Sequence, residues 1–205
     1  MNKCLVCDKN IEETFTSLLI RKQVMCYECF NRLNFRNKKF KIMNYEGVIL
    51  YYYNKFFKDV LFRYKGINDY LLKDVFISYN LDLLKRKYKG YAIVLAPSNT
   101  SVEEKRGFCH LEEIFKSLDL PIIKCFKKDK EWKQSDKNLN ERKRIQNVIK
   151  IDKTMLDGVK KVLIVDDVLT SGSTIKAMLS QMPANIVKKV LVLSSNCRIL
   201  ANEIV

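Results

Sequence analysis

Hydrophobic positions along this chain alternate between strand-like and helix-like blocks. Residues 162–165 (Val-Leu-Ile-Val) are apolar throughout, as in an interior strand of a parallel sheet covered by helices on both faces. Residues 91–96 (YAIVLA) repeat the pattern and stop at Pro97 and Ser98, while residues 121–126 and 187–194 read as further strands. Residues 45–53 (YEGVILYYY) have the β-branched and aromatic content of a strand at a sheet edge. Between these blocks the spacing becomes helical. Phe56, Phe57, Val60, Leu61 and Tyr64 mark one face over residues 54–65. Leu71, Leu72, Val75, Phe76 and Tyr79, then Leu83 and Leu84, repeat the stripe within residues 68–89. Leu111, Ile114, Phe115 and Leu118 form a third face, and residues 175–182 a fourth helix. Such aromatic stripes read as core and not as base-stacking platforms. The alternation predicts an α/β fold, a parallel sheet flanked by helices with right-handed crossovers.

Polar stretches divide this pattern. Residues 30–44, with Arg32, Arg36, Lys38, Lys39 and Lys41, read as a basic connection, either linker or short helix. They close an amino-terminal module, residues 1–44, ahead of an α/β domain, residues 45–205. Residues 127–150, the most polar segment, contain Gln134, Arg142 and Arg144 and read as a lid or active-site loop between two strands.

Cysteine spacing changes the picture of the amino terminus. Cys4-x2-Cys7 and Cys26-x2-Cys29, eighteen residues apart, can close a tetrahedral four-thiolate site of the zinc-ribbon kind. Four thiolates would saturate Zn²⁺ and leave no position for water, which predicts a structural role. Two disulfides, a redox CxxC pair and an iron–sulfur cluster are the alternatives. Seven cysteines in total, with Cys109, Cys125 and Cys197 scattered singly, sit poorly with an oxidised framework and fit a reducing cytoplasm. No secretory signal and no membrane span are expected. The 205 residues, 47% apolar, suffice for a core, which excludes intrinsic disorder. With 38 basic and 23 acidic residues the net charge is +15, a bias toward anionic partners shared with a merely lysine-rich surface.

The remaining chemistry lies directly after the most apolar strand. Asp166 and Asp167 are expected at or just beyond its carboxyl end, where open α/β sheets bind ligands. Two adjacent carboxylates need partners, either ligand hydroxyls such as a ribose diol or a cation. Thr170, Ser171, Gly172, Ser173 and Thr174 then offer hydroxyls, backbone amides and one residue free to take positive φ at a helix amino terminus, a nest for a monophosphate. Taken separately, these residues read as an ordinary capped turn; in this order they point to a sugar phosphate. His110, the sole histidine, could serve as a general base, but its place on an early helical turn favours a surface or satisfied-partner role.

Residues 162–174, VLIVDDVLTSGST, resemble the phosphoribosyl pyrophosphate (PRPP) motif of type I phosphoribosyltransferases. The order of the CxxC pairs, Tyr64-Lys65-Gly66, Ala96-Pro97 with Arg106-Gly107-Phe108, the polar segment with Gln134, Arg142, Asn147 and Val148, and then this motif resembles the ComF family, linked to natural transformation in bacteria. The resemblance implies a type I phosphoribosyltransferase-like sheet behind a small zinc-ribbon-like module. It implies that Asp166 and Asp167 hold the ribose hydroxyls and that Val168, Leu169 and residues 170–174 bind PRPP. Pro97 and Ser98 would lie near the diphosphate, Arg106 and Gly107 would begin the following helix, and Lys65 and Arg142 would contact anions. Mg²⁺ would accompany the diphosphate, with single-stranded DNA and a competence helicase or other DNA-uptake proteins as partners. The chain departs from the family pattern on the diphosphate and acceptor side: Glu103 and Glu104 stand where basic residues are common, and Cys109-His110 replace Asn-Gln. Two function classes follow, a phosphoribosyl transferase with an unidentified acceptor and a non-catalytic adaptor or sensor that binds single-stranded DNA.

Overall fold

The computed structural model describes residues 3–11, 23–98, 100–128 and 149–196. Eight strands and six α-helices are described: α1 (Tyr27–Leu33), β1 (Phe35–Ile42), β2 (Tyr45–Tyr52), α2 (Lys55–Gly66), α3 (Leu81–Lys87), β3 (Ala92–Leu95), α4 (Thr100–Arg106), α5 (His110–Phe115), β4 (Ile122–Ile123), β5 (Phe126–Lys128), β6 (Ile149–Ile151), β7 (Lys161–Leu169), α6 (Ser173–Gln181) and β8 (Val187–Ser195). Six strands form one sheet in the order β1-β2-β8-β7-β3-β4. All its pairings are parallel except β1 with β2. β5 and β6 form a separate antiparallel pair on either side of residues 129–148.

The apolar run in β7 explains the centre of this sheet. Val162, Leu163, Ile164 and Val165 are fully buried, each stabilising the fold by about 1.5–3 kcal/mol. Their neighbours Val190 and Leu191 in β8 and Ile93 and Val94 in β3 are equally enclosed. The expected parallel α/β sheet flanked by helices is present, with the cysteine cluster at its amino terminus.

Several local expectations are corrected. Residues 30–44, expected as linker or short helix, are both helix and strand: their first four residues finish α1, and most of the rest form β1, whose Phe40 and Ile42 are buried while Lys38, Lys39 and Lys41 face solvent. β1 takes the sheet edge, so β2 lies inside, between β1 and β8. The helical stripe of residues 68–89 breaks into 3-10 turns at Tyr70–Val75 and Ser78–Asn80 before α3, leaving Leu71 and Leu83 exposed. Residues 121–126 split into β4 and the start of β5. Arg106 and Gly107 do not begin a helix: Arg106 ends α4, and the next helix starts at His110. No described helix is long and apolar enough to cross a membrane.

Candidate functional site

β7 runs further than its apolar run suggested. It continues to Leu169, so both acids lie within the strand near its carboxyl end, with Asp166 opposite Val192 of β8. Successive strand side chains project to opposite faces. Asp167 turns toward α2 and α5, where its Oδ2 accepts from Lys65 Nζ and, at 2.9 Å, from His110 Nε2. Asp166 Oδ1 accepts from the Asp167 backbone N–H at 2.8 Å, its one hydrogen bond among the described residues.

The two carboxyls are therefore tuned apart. Burial and the Asp167 charge push the Asp166 carboxyl up to about 7. Against the cost of burial, the hydrogen bond from His110 and the Lys65 charge hold Asp167 well below the usual carboxylate range. His110 is itself buried, which lowers its ring below the ordinary histidine value despite the hydrogen bond to Asp167. Its tautomer follows from its neighbours. Arg106 Nη1 lies 3.3 Å from Nδ1, and a guanidinium only donates, so Nε2 carries the proton given to Asp167. Arg106 Nε also donates to the Lys65 carbonyl at 2.9 Å, and Tyr64 Oη to the His110 carbonyl at 2.9 Å. His110 is thus the satisfied partner of Asp167 and not a free base. Its role in the site, and that of Arg106, escaped the sequence; the cue was a lone histidine beginning a helix whose next residues, Leu111, Ile114 and Phe115, are core.

Past the acids the chain leaves the sheet. Leu169 is buried, and its carbonyl accepts from Ser195 Oγ at 3.1 Å and from Asn196 N at 3.0 Å, which fixes the loop's origin. Gly172 precedes α6 with φ 71°, so the chain turns through a conformation that side chains disfavour. Ser171 Oγ and Ser173 Oγ are 2.7 Å apart, and Ser173 N donates to Ser171 Oγ at 3.4 Å. Thr170 and Ser171 are exposed, Ser173 and Thr174 half-buried. The loop offers hydroxyls and the first amides of a nine-residue helix.

Pro97 and Ser98 follow β3, whose Leu95 pairs with Val165, so they reach the same end of the sheet as the acids. Ser98 Oγ donates to Glu103 of α4. Val168, half-buried, belongs to β7. Arg142 lies outside the described residues, as do Gln134, Arg144, Asn147 and Val148.

The four amino-terminal cysteines converge. Their sulfurs lie within 4.8 Å of one another, and Cys7 Sγ and Cys26 Sγ are 3.8 Å apart. A tetrahedral site with Zn–S near 2.3 Å places its sulfurs about 3.8 Å apart, so the cluster fits zinc. All four are free thiols, with Cys4 and Cys29 buried. Against burial, the backbone amides of Cys26, Cys7 and Val6 draw the Cys4 thiol down to about 7, whereas burial and the neighbouring thiols push Cys29 far up. A divalent cation resolves that conflict by stabilising every thiolate at once.

No protein-family model matches the chain. Competence protein ComFC of Streptococcus pneumoniae (strain ATCC BAA-255 / R6) is 30% identical over 215 residues, covering 91% of this chain and 97% of the relative. The chain belongs to the ComF family. Tetragonal and orthorhombic crystal structures of a Staphylococcus aureus hypoxanthine phosphoribosyltransferase align over 60% of this chain and 60% and 61% of theirs, at 15% identity and TM-score 0.36. In this ComF-family chain the amino-terminal cysteine cluster is suited to zinc.

Proposed function

We propose that this ComF-family chain binds a phosphorylated ribose, PRPP or a close relative, and acts with it in DNA uptake and natural transformation. The observation that carries the reading is one continuous segment: an acid pair at the carboxyl end of a central parallel strand, leading through a positive-φ glycine into a helix amino terminus. In this reading Thr170, Ser171, Gly172, Ser173 and Thr174 hold the 5′-phosphate, while Asp166 and the Asp167 oxygen not taken by Lys65 accept from the ribose diol. Val168 and Leu169 carry the backbone from one to the other. Mg²⁺, a hard cation suited to oxygen ligands, would be held by the diphosphate together with the Asp166 carboxylate. Cys4, Cys7, Cys26 and Cys29 hold structural Zn²⁺ in an amino-terminal module, residues 1–44, whose β1 pairs into the sheet of the ligand-binding domain, residues 45–205.

Transfer would break the bond between the anomeric carbon and diphosphate, with the electron pair leaving on diphosphate, while a nucleophile's lone pair forms the new bond. Carboxylates near the sugar would stabilise the positive charge developing on it. The adaptor reading has a specific observation in its favour. Ser98, beside the expected diphosphate position, is tied to the carboxylate of Glu103, and an acid there repels an anion. A basic surface would then engage single-stranded DNA through its phosphates.

Calorimetric titration of the zinc-loaded protein with PRPP and Mg²⁺ tests the shared premise. Saturable binding is expected, and none at millimolar ligand would sink it. Release of diphosphate with candidate acceptors distinguishes transferase from adaptor. Binding to single-stranded DNA should weaken steeply with salt; affinity that ignores salt would rule out phosphate contacts.

A further inference from the structure

A cleft of about 530 Å³ lies between α2 and α4, lined by Lys58, Leu61, Phe62 and Lys65 on one side and Val102, Lys105 and Arg106 on the other. That volume suits a small organic molecule. Helical spacing builds the lining. Residues 58, 61, 62 and 65 form an i, i+3, i+4, i+7 stripe on α2, and 102, 105 and 106 form an i, i+3, i+4 stripe on α4. Each stripe interleaves cations with apolar side chains. Meanwhile Glu103 and Glu104, on the same short helix, line a neighbouring cleft with Glu112 and Glu113. Charge is therefore sorted across α4, which a uniform lysine excess does not produce.

The cations facing the cleft are short of carboxylates. Lys58 and Lys105 form no ion pair among the described residues, and Arg106 is bonded to His110 and to the Lys65 carbonyl. Gly66 completes the wall by its lack of a side chain, since a Cβ there would come within 2.8 Å of the Phe62 ring. An exposed Phe62 and Val102 provide an apolar surface that water serves poorly.

We propose that this cleft is a second ligand site, for an organic anion with an apolar body, and that Lys65 couples it to the acid pair. Lys65 lines the cleft while its ammonium rests on Asp167. An anion in the cleft competes for that ammonium and leaves Asp167 Oδ2 with His110 as its donor and with room to accept from a ribose hydroxyl as well. Linkage makes the effect reciprocal, so a sugar phosphate on the acid pair strengthens anion binding in the cleft. The coupling rests on the sugar-phosphate reading above; the cleft's ligand class does not.

Benzoate and its neutral counterpart benzamide probe the site in calorimetric titrations of the zinc-loaded full chain. Benzoate should bind at least about tenfold more tightly, and Lys58→Ala combined with Lys105→Ala should weaken benzoate about tenfold while leaving ribose 5-phosphate affinity unchanged. Benzoate should also raise ribose 5-phosphate affinity, and Lys65→Met should abolish that enhancement. Equal affinity for the two probes, or indifference of benzoate to the paired lysine variant, overturns the site. An enhancement that survives Lys65→Met overturns the coupling. Lysine-dependent benzoate binding without any ribose 5-phosphate binding supports the site and removes the sugar-phosphate reading alone.

Discussion

Asp166 and Asp167 are adjacent, yet their surroundings pull them in opposite directions, a separation that assigns acid and base roles in many sites. A carboxyl raised to about 7 binds more protons folded than unfolded. Asp166 therefore costs nothing below its unfolded value and destabilises increasingly as pH rises toward 7. Asp166→Asn removes this cost while keeping an oxygen for the Asp167 amide. Its unfolding free energy should exceed that of the parent by more at pH 8 than at pH 5, by on the order of a few kcal/mol at the upper end. A gap that stays constant with pH would contradict the assignment. His110 acts in the other sense. Lowered when folded, it binds fewer protons than in the unfolded chain, so stability is lost as pH falls below about 6.5. His110→Ala leaves buried Asp167 without one donor and should cost about 1–3 kcal/mol in urea denaturation at pH 7.5. The deficit should shrink at pH 5.5; a deficit that grows there would show the histidine to be charged in the fold.

Elements whose pattern is local were legible; those decided by distant neighbours were not. β7, α6 and the loop between them follow from an apolar run, a hydroxyl-rich turn and a glycine, each readable within a few residues. β1 was hidden because an edge strand needs one buried face, here Phe40 and Ile42, and its lysines disguise the rest as linker. Those lysines also deter edge-to-edge pairing. The sequence located the acid pair but not what surrounds it, because Lys65, Arg106 and His110 lie on three separate helices and meet only through the fold. Gly172 joins the legible loop to the hidden strand. Its φ of 71° is costly for any side chain, and a Cβ would approach Ile42 Cδ1 at 3.1 Å. Gly172→Ala should lose about 1–2 kcal/mol in thermal unfolding and most of its ribose 5-phosphate affinity. Ser173→Ala should lose affinity alone. Full affinity in Gly172→Ala despite lowered stability would show that the loop is not the phosphate site.

At the scale of the molecule, the cysteine module is stitched to the helix that carries Lys65. Arg63 of α2 donates to the Val6 carbonyl at 2.7 Å and pairs with Asp69, while Tyr79 donates to the Met25 carbonyl at 2.7 Å and stacks on Phe30 at 4.3 Å. Cys4, Met25, Cys29 and Leu33 belong to the same buried cluster as β2, β7 and β8. Zinc lost from the four sulfurs would therefore release more than the amino terminus: Val6 lies between Cys4 and Cys7, Met25 directly precedes Cys26, and Arg63 lies half a turn from Lys65. Chelation of zinc, or Cys26→Ser, should lower the melting temperature by about 10 °C or more, since metal sites of this kind contribute several kcal/mol to folding. The benzoate-linked rise in ribose 5-phosphate affinity should be lost with it, because a displaced α2 moves Lys65 away from Asp167. A protein that loses metal and melts early, yet keeps that benzoate-linked rise below its melting point, would show that the stitches at Val6 and Met25 do not transmit the state of the cysteine cluster to the acid pair.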